Sequence, residues 1–309
     1  MFGIKLGTKE EIEAIFNGPL YSCFKAYELP SSLITPRAAG LLGRARSEGV
    51  KFTAHAPHPF NSSADMASAD EDMRESSVKE IMAAMDAAAL IAPEAFVVHC
   101  GVTNNSRCGN HADGERTRRE ALSTARRSLR EIADYALPLN LHLTIENDAA
   151  LPGIKAVSNG DRAYIGTLCT TPEEVSFMLD SVSGVGLTFD VGHAYGTANW
   201  LKREPYRFME SMIKSAGAGR VKNIHITDIE QGVDFHMAIG KGTIDFKKVF
   251  RVLSGYTGPV ILENFPEDIF ASIEEIRGRY SILDPEELFD MGKIRAFCNA
   301  LGWGAQHGR

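Results

Sequence analysis

The chain reads as an α/β protein, a (β/α)8 barrel in one domain. Three observations carry this. Eight short apolar runs alternate with amphipathic stretches, which implies parallel strands joined by helices. The 309 residues suffice for eight such units. Six of the eight runs also end in a His or a carboxylate, and the strand ends of a parallel barrel open on one face. A doubly wound sheet would show the same alternation, but no Gly-rich phosphate turn follows the first run.

In order, Phe2–Leu6 is the first strand, and Thr8-Lys9-Glu10-Glu11 reads as a capping box opening a helix through Phe16. Cys23–Leu29 is the second strand, with Glu28 near its end, followed by a helix over Pro36–Gly49. Lys51–Ala56 is the third strand, a helix covers about Glu71–Ala92, and Ala95–Val98 is the fourth strand. Val102–Gly114 is a polar loop, and an Arg-rich helix runs from Glu115 to about Ala136. Leu141–Ile145 is the fifth strand. Its loop, Asp148–Thr170, is long enough to suggest function. Thr171-Pro172-Glu173-Glu174 opens a helix. The sixth strand then ends Leu187-Thr188-Phe189-Asp190 at a Gly-containing turn, before a helix near Tyr206–Ala216. Val221–Ile226 and Pro259–Leu262 are the last strands, separated by a short helix ending at Leu253. The barrel is expected over about residues 2–280. An amphipathic C-terminal helical extension follows over about 284–303, after a break at Asp284-Pro285.

Composition is that of a soluble globular chain, 44% hydrophobic and 24% charged. The net charge of −7 disfavours nucleic acid, which usually calls for a basic surplus. Five scattered cysteines without Cys-x-x-Cys spacing exclude a disulfide scaffold and fit a reduced, cytoplasmic protein. No membrane span or signal segment is expected.

The strand ends bring His55, His99, Glu146, Asp190, His193, His225, Asp234, His236 and Glu263 to one face. Five of the chain's nine histidines are among them. Histidines with carboxylates and no Lys or Arg make a ligand field for a divalent cation: Zn²⁺, Mn²⁺ or Fe²⁺. A carboxylate directly after a buried strand, as in Ile145-Glu146-Asn147 and Leu262-Glu263-Asn264, is costly unless paired or metal-bound.

Over about Phe2 to Pro266 the chain resembles the xylose isomerase-like TIM barrels, a superfamily that includes sugar phosphate isomerases and epimerases and endonuclease IV (AP endonuclease family 2). The carriers are Ala54-His55-Ala56-Pro57, Val98-His99-Cys100-Gly101, Ile145-Glu146-Asn147, Phe189-Asp190-Val191-Gly192-His193-Ala194, Ile224-His225-Ile226-Thr227-Asp228, Asp234-Phe235-His236, Ile239-Gly240-Lys241-Gly242-Thr243-Ile244-Asp245 and Leu262-Glu263. In the nuclease branch, residues matching all nine positions bind three zinc ions. The nuclease's His-containing first turn is Leu6-Gly7-Thr8-Lys9 here, and its basic second-strand loop is Glu28-Leu29-Pro30-Ser31-Ser32. Its His-Pro-Gly is His99-Cys100-Gly101, its Asn-Asp is Thr227-Asp228, and its Asp-Arg-His is Asp234-Phe235-His236. These departures weigh against DNA recognition and leave the metal ligands intact.

The resemblance implies two activities, with one to three ions per chain. The favoured one is a sugar or sugar-phosphate isomerase or epimerase acting on a small polyhydroxylated substrate. Glu146, Asp190, His225 and Glu263 then hold an ion, Glu146 and Glu263 move the proton, and His193 orients substrate. The alternative is an endonuclease IV-like phosphodiester hydrolase in which all nine residues are ligands. A non-enzymatic metal-binding module is the third reading.

Overall fold

The computed structural model describes residues 1–59, 65–102, 118–150, 156–158, 161–163, 166–180, 182–217, 219–230, 236–279 and 290–303. The barrel strands are β1 (Phe2–Lys5), β2 (Ala26–Pro30), β3 (Lys51–His55), β4 (Phe96–Val98), β5 (Leu143–Glu146), β8 (Gly186–Asp190), β9 (Val221–Ile226) and β10 (Val260–Leu262). They close into a parallel barrel in chain order, with β10 returning to β1. This is the (β/α)8 architecture that the alternation of apolar runs predicts.

Side-chain caps open several helices, at Thr8 and Thr171 as the sequence predicts. Thr8 opens α1 (Lys9–Phe16) with a capping box, Thr35 opens α2 (Pro36–Ser47), Asp70 opens α3 (Glu71–Ala89) and Thr171 opens α5 (Pro172–Leu179). Between α3 and α5, α4 covers Arg118–Leu139 and tolerates Pro138 in its last turn. The later helices are α6 (Val191–Trp200), α7 (Pro205–Ala216), α8 (Phe246–Val252), α9 (Ile269–Arg279) and α10 (Met291–Ala300). Phe297 of α10 packs edge-on against Phe24, 5.2 Å between centroids. Phe24 precedes β2, so α10 lies at the barrel end opposite the strand C-termini. Residues 280–289, with the expected break at Asp284-Pro285, lie outside the described residues, as do 103–117 of the Val102–Gly114 loop. No described helix is long and apolar enough to cross a membrane.

Two expectations fail. The Asp148–Thr170 stretch is not all loop: β6 (Ala156–Ser158) and β7 (Asp161–Ala163) pair antiparallel within it. No Gly-containing turn follows Asp190 either; α6 begins at Val191. Gly192 lies in that helix where the chain approaches the end of β9 closely: a Cβ would lie 2.6 Å from the Thr227 side chain. Asp190 is the N-cap of α6, its carboxylate accepting from the His193 amide at 2.5 Å.

Strand parity positions the site. Side chains alternate across a strand, and one parity points into this barrel. Thr144 and Thr188 join hydroxyls at 2.8 Å, and Asn223 of β9 reaches Glu28 of β2 at 3.0 Å across the lumen. Continuing that parity to the C-terminal ends gives one residue per strand: Lys5, Glu28, His55, His99, Glu146, Asp190, His225 and Glu263.

The Gly240-Lys241-Gly242-Thr243-Ile244-Asp245 element is a fold device. The Asp228 carboxylate accepts from the amides of Ile229, Gly240, Gly242 and Ile244 at 2.9–3.1 Å. A Cβ at Gly242 would lie 2.3 Å from the Ile229 carbonyl oxygen, so only glycine fits. Asp245 caps α8.

Candidate metal centre

Five of these eight, Lys5, His55, His99, Glu146 and Glu263, line a cavity of about 750 Å³ together with His58, Glu80, His193 and His236. Its chemistry centres on Glu146, which is 1% exposed. One carboxylate oxygen, Oε2, lies 3.4 Å from Nε2 of both His55 and His99. The other, Oε1, lies 3.2 Å from Nδ1 of His225. Two groups of ligand atoms result: His55–His99–Glu146, and Glu146–Asp190–His225–Glu263, each within 4.8 Å. Glu146 belongs to both, with a different oxygen turned to the histidines of each.

The histidines are oriented from behind. Nδ1 of His55 donates to the Ala56 carbonyl at 2.7 Å, Nδ1 of His193 to the Asn147 carbonyl at 3.0 Å, and Nδ1 of His236 to the Glu263 carbonyl at 2.7 Å. Nδ1 of His99 bonds the Asp148 carboxylate at 3.1 Å. In all four the Nδ1 bond makes Nε2 the atom that would face a metal, the arrangement that metal-binding histidines adopt. His225 is reversed: its Nε2 bonds Glu28 at 2.9 Å, which turns Nδ1 toward the carboxylates.

The donor set passes a physical test for a divalent ion. Glu146 Oε2 and Asp190 Oδ2 are buried and make no hydrogen bond. An orphaned buried carboxylate oxygen costs free energy, and a cation would satisfy both, the first of them lying 3.4 Å from two imidazole nitrogens. The protonation pattern points the same way. Burial lowers the His55 pKa, aided by Lys5, which keeps it neutral. Burial raises Asp190 to about 6, only partly offset by His193. Burial opposes charge on His225, but Glu28, Glu263 and Glu146 outweigh it and raise its pKa well above the usual range. His193 is raised to about 9 against burial, chiefly by Asp190. The centre thus draws positive charge.

Of the nine predicted ligands, His55, His99, Glu146, Asp190, His225 and Glu263 fall into the two groups. His193 and His236 line the same cavity, with His193 Nδ1 3.6 Å from both Glu146 and Asp190. Asp234 lies outside the described residues. A lysine reaches the centre beside the predicted ligands: Lys5 Nζ bonds Glu263 and lies 3.5 Å from Glu28. Sequence reading also passed over Glu28, His58 and Asp148 as centre residues. The parity of β1 and β2 would have found Lys5 and Glu28. His58 joins His99 and Asp148 in a further candidate ligand group, and burial, aided by His99, holds its pKa down at about 3.

Comparison with known proteins follows the same lines. A family model described as xylose isomerase-like TIM barrel matches residues 23–281. The chain is 30% identical over 241 residues to a Thermoplasma acidophilum protein named "Probable endonuclease 4", covering 75% of this chain and 74% of that one. It is 27% identical over 249 residues to an uncharacterized protein of Methanocaldococcus jannaschii, covering 79% and 75%. Among solved structures, a D-tagatose 3-epimerase-like protein superimposes with a TM-score of 0.70 at 24% identity, covering 93% of this chain and 99% of that one. An L-ribulose 3-epimerase gives 0.64 at 16%, covering 100% and 99%. At these identities the structural likeness is one of fold.

Proposed function

Because the chain belongs to the xylose isomerase-like TIM barrel family, we propose that it is a divalent-metal enzyme that hydrolyses a phosphoester, in which His55 and His99 would hold one ion and Asp190, His225 and Glu263 another, with Glu146 offering a carboxylate oxygen to each group. One observation carries this reading: Glu146 turns Oε2 to His55 and His99 and Oε1 to His225. A single-ion isomerase has no use for the first group. The relative named "Probable endonuclease 4" supports the same class. The net charge of −7 favours a small phosphorylated substrate over a duplex.

Ions bound there would supply Lewis-acid charge to a phosphoryl group and its leaving oxygen, as paired ions do in phosphatases and nucleases. The protein's part is positional. Ala56 O and Asp148 fix the tautomers of His55 and His99, and Glu28 fixes that of His225. Asn147 exchanges two hydrogen bonds with the Asp190 backbone, at 2.8 and 2.9 Å. This ties β5 to β8 and fixes Glu146 relative to Asp190.

The second reading, a sugar isomerase or epimerase, is favoured by the pairing of Glu146 and Glu263 in one ligand group, where two carboxylates could remove and return a proton. The test is metal content per chain, alongside turnover of p-nitrophenyl phosphate esters, incision of abasic-site duplex and epimerisation of ketoses. Two or more ions with phosphoester turnover that His55→Ala abolishes is the expected result. One ion with ketose epimerisation that survives His55→Ala would establish the second reading instead.

A further inference from the structure

Lys5 is the only lysine or arginine among the described residues lining the cavity. Its side chain is 28% exposed, yet the ammonium does not run out to water as long cationic side chains usually do. It bonds Glu263 and faces Glu28 Oε1 at 3.5 Å. Glu28 is 0% exposed. Its Oε2 accepts from Thr53 Oγ1 at 2.9 Å, Asn223 Nδ2 at 3.0 Å and His225 Nε2 at 2.9 Å, whereas Oε1 makes no hydrogen bond. The neighbour of that bare oxygen is the Lys5 charge. Glu28, His55 and Glu263 also present one ligand atom each within 4.8 Å. A lysine ammonium therefore stands against two of these three ligands, Glu263 and Glu28.

We propose that the Lys5 ammonium is a resident cation of the centre, holding the corner that Glu28 Oε1 and the Lys5-bonded oxygen of Glu263 would otherwise offer to an additional divalent ion. This rests on the reading that the neighbouring groups bind such ions. Two buried carboxylates side by side need positive charge nearby. A tethered ammonium supplies it without exchanging with solvent and without demanding a coordination geometry. Lys5 is then a positioning residue. It acts through Glu263, one of whose oxygens it engages, leaving Oε2 3.5 Å from His225 Nδ1. Glu28 completes the link, since the carboxylate facing Lys5 is the one that orients His225.

The test compares the metal content of wild type, Lys5→Met, Lys5→Gln and Lys5→Arg after equilibrium dialysis against Mn²⁺, read by elemental analysis. Lys5→Met and Lys5→Gln are expected to gain one ion per chain over wild type, Lys5→Arg to keep the wild-type number, and Lys5→Met combined with Glu28→Gln to lose the gain. An unchanged ion count in both neutral variants overturns the proposal. If neither folds in metal-free buffer, recovery of the fold by added Mn²⁺ is the expected result, and no recovery overturns it. A wild-type chain that takes up no ion contradicts the metal reading itself; wild type with ions and neutral variants without the extra one contradict only the role of Lys5.

Discussion

Glu146→Gln is the most informative single change. It keeps the side chain's shape and removes its charge. Glutamine retains one carbonyl oxygen, and its amide nitrogen is a poor ligand. Glu146 uses both oxygens, one 3.4 Å from His55 and His99 and the other 3.2 Å from His225, so at least one group loses its ligand however the amide turns. Partners behind a ligand are worth roughly 10–100-fold in affinity. A ligand oxygen should lie at the upper end of that range, and 100-fold corresponds to about 2.8 kcal/mol. Competition with a chromophoric chelator measures this directly. The expected outcome is weakening of about 100-fold or more in at least one group, with turnover falling at least in proportion. Retention of every ion at wild-type affinity would refute the reasoning, because Glu146 would then not be a shared ligand.

Other outcomes follow from the same geometry. Asp148→Asn removes the charge behind His99 and should weaken the ion at His55–His99 by about 10-fold or more while sparing the Glu146–Asp190–His225–Glu263 group; equal weakening of both would contradict the separate roles. Restoring Zn²⁺ or Mn²⁺ to chelator-stripped protein at 100 times its Kd should stabilise the fold by about 2.7 kcal/mol, seen as a higher melting temperature; no shift would count against a bound ion. Metal should be lost as pH falls, because protons compete for the same imidazole nitrogens. His225 holds its proton well above the ordinary histidine range, so loss from its group should begin at the higher pH, and the reverse order in dialysis would contradict the assignment. Gly242→Ala places a Cβ 2.3 Å from the Ile229 carbonyl oxygen and should cost about 1–3 kcal/mol of stability, measured by denaturant unfolding; a neutral result would remove Asp228 as the organiser of that loop.

The barrel was legible because each strand is a short apolar run with polar punctuation, and because helix starts carry their caps in sequence, as at Thr8 and Thr171. The helix α6 was not legible. Val191–Trp200 carries two glycines and a threonine, poor helix formers, and it is held by packing and the Asp190 cap. That cap shows how a plain structural role and a candidate ligand role coexist in one carboxylate. The centre was legible where a His or acid ends an apolar run. It was less so where a role depends on a distant partner: strand parity turns Lys5 inward, but its bond to Glu263, 258 positions away, is not written locally, and Asp148 joins the centre through His99. Glu28 resembles a surface acid until β2 and β9 face each other across the lumen.

The central claim is that Glu146 joins two metal groups. Anomalous diffraction from crystals grown with Zn²⁺, collected at the zinc edge, tests it most directly. At least two peaks are expected beside the Glu146 carboxylate, one next to His55 and His99 and the other next to Asp190, His225 and Glu263. A single peak at the second group, with the His55 and His99 nitrogens bonded only to protein or water, would contradict it.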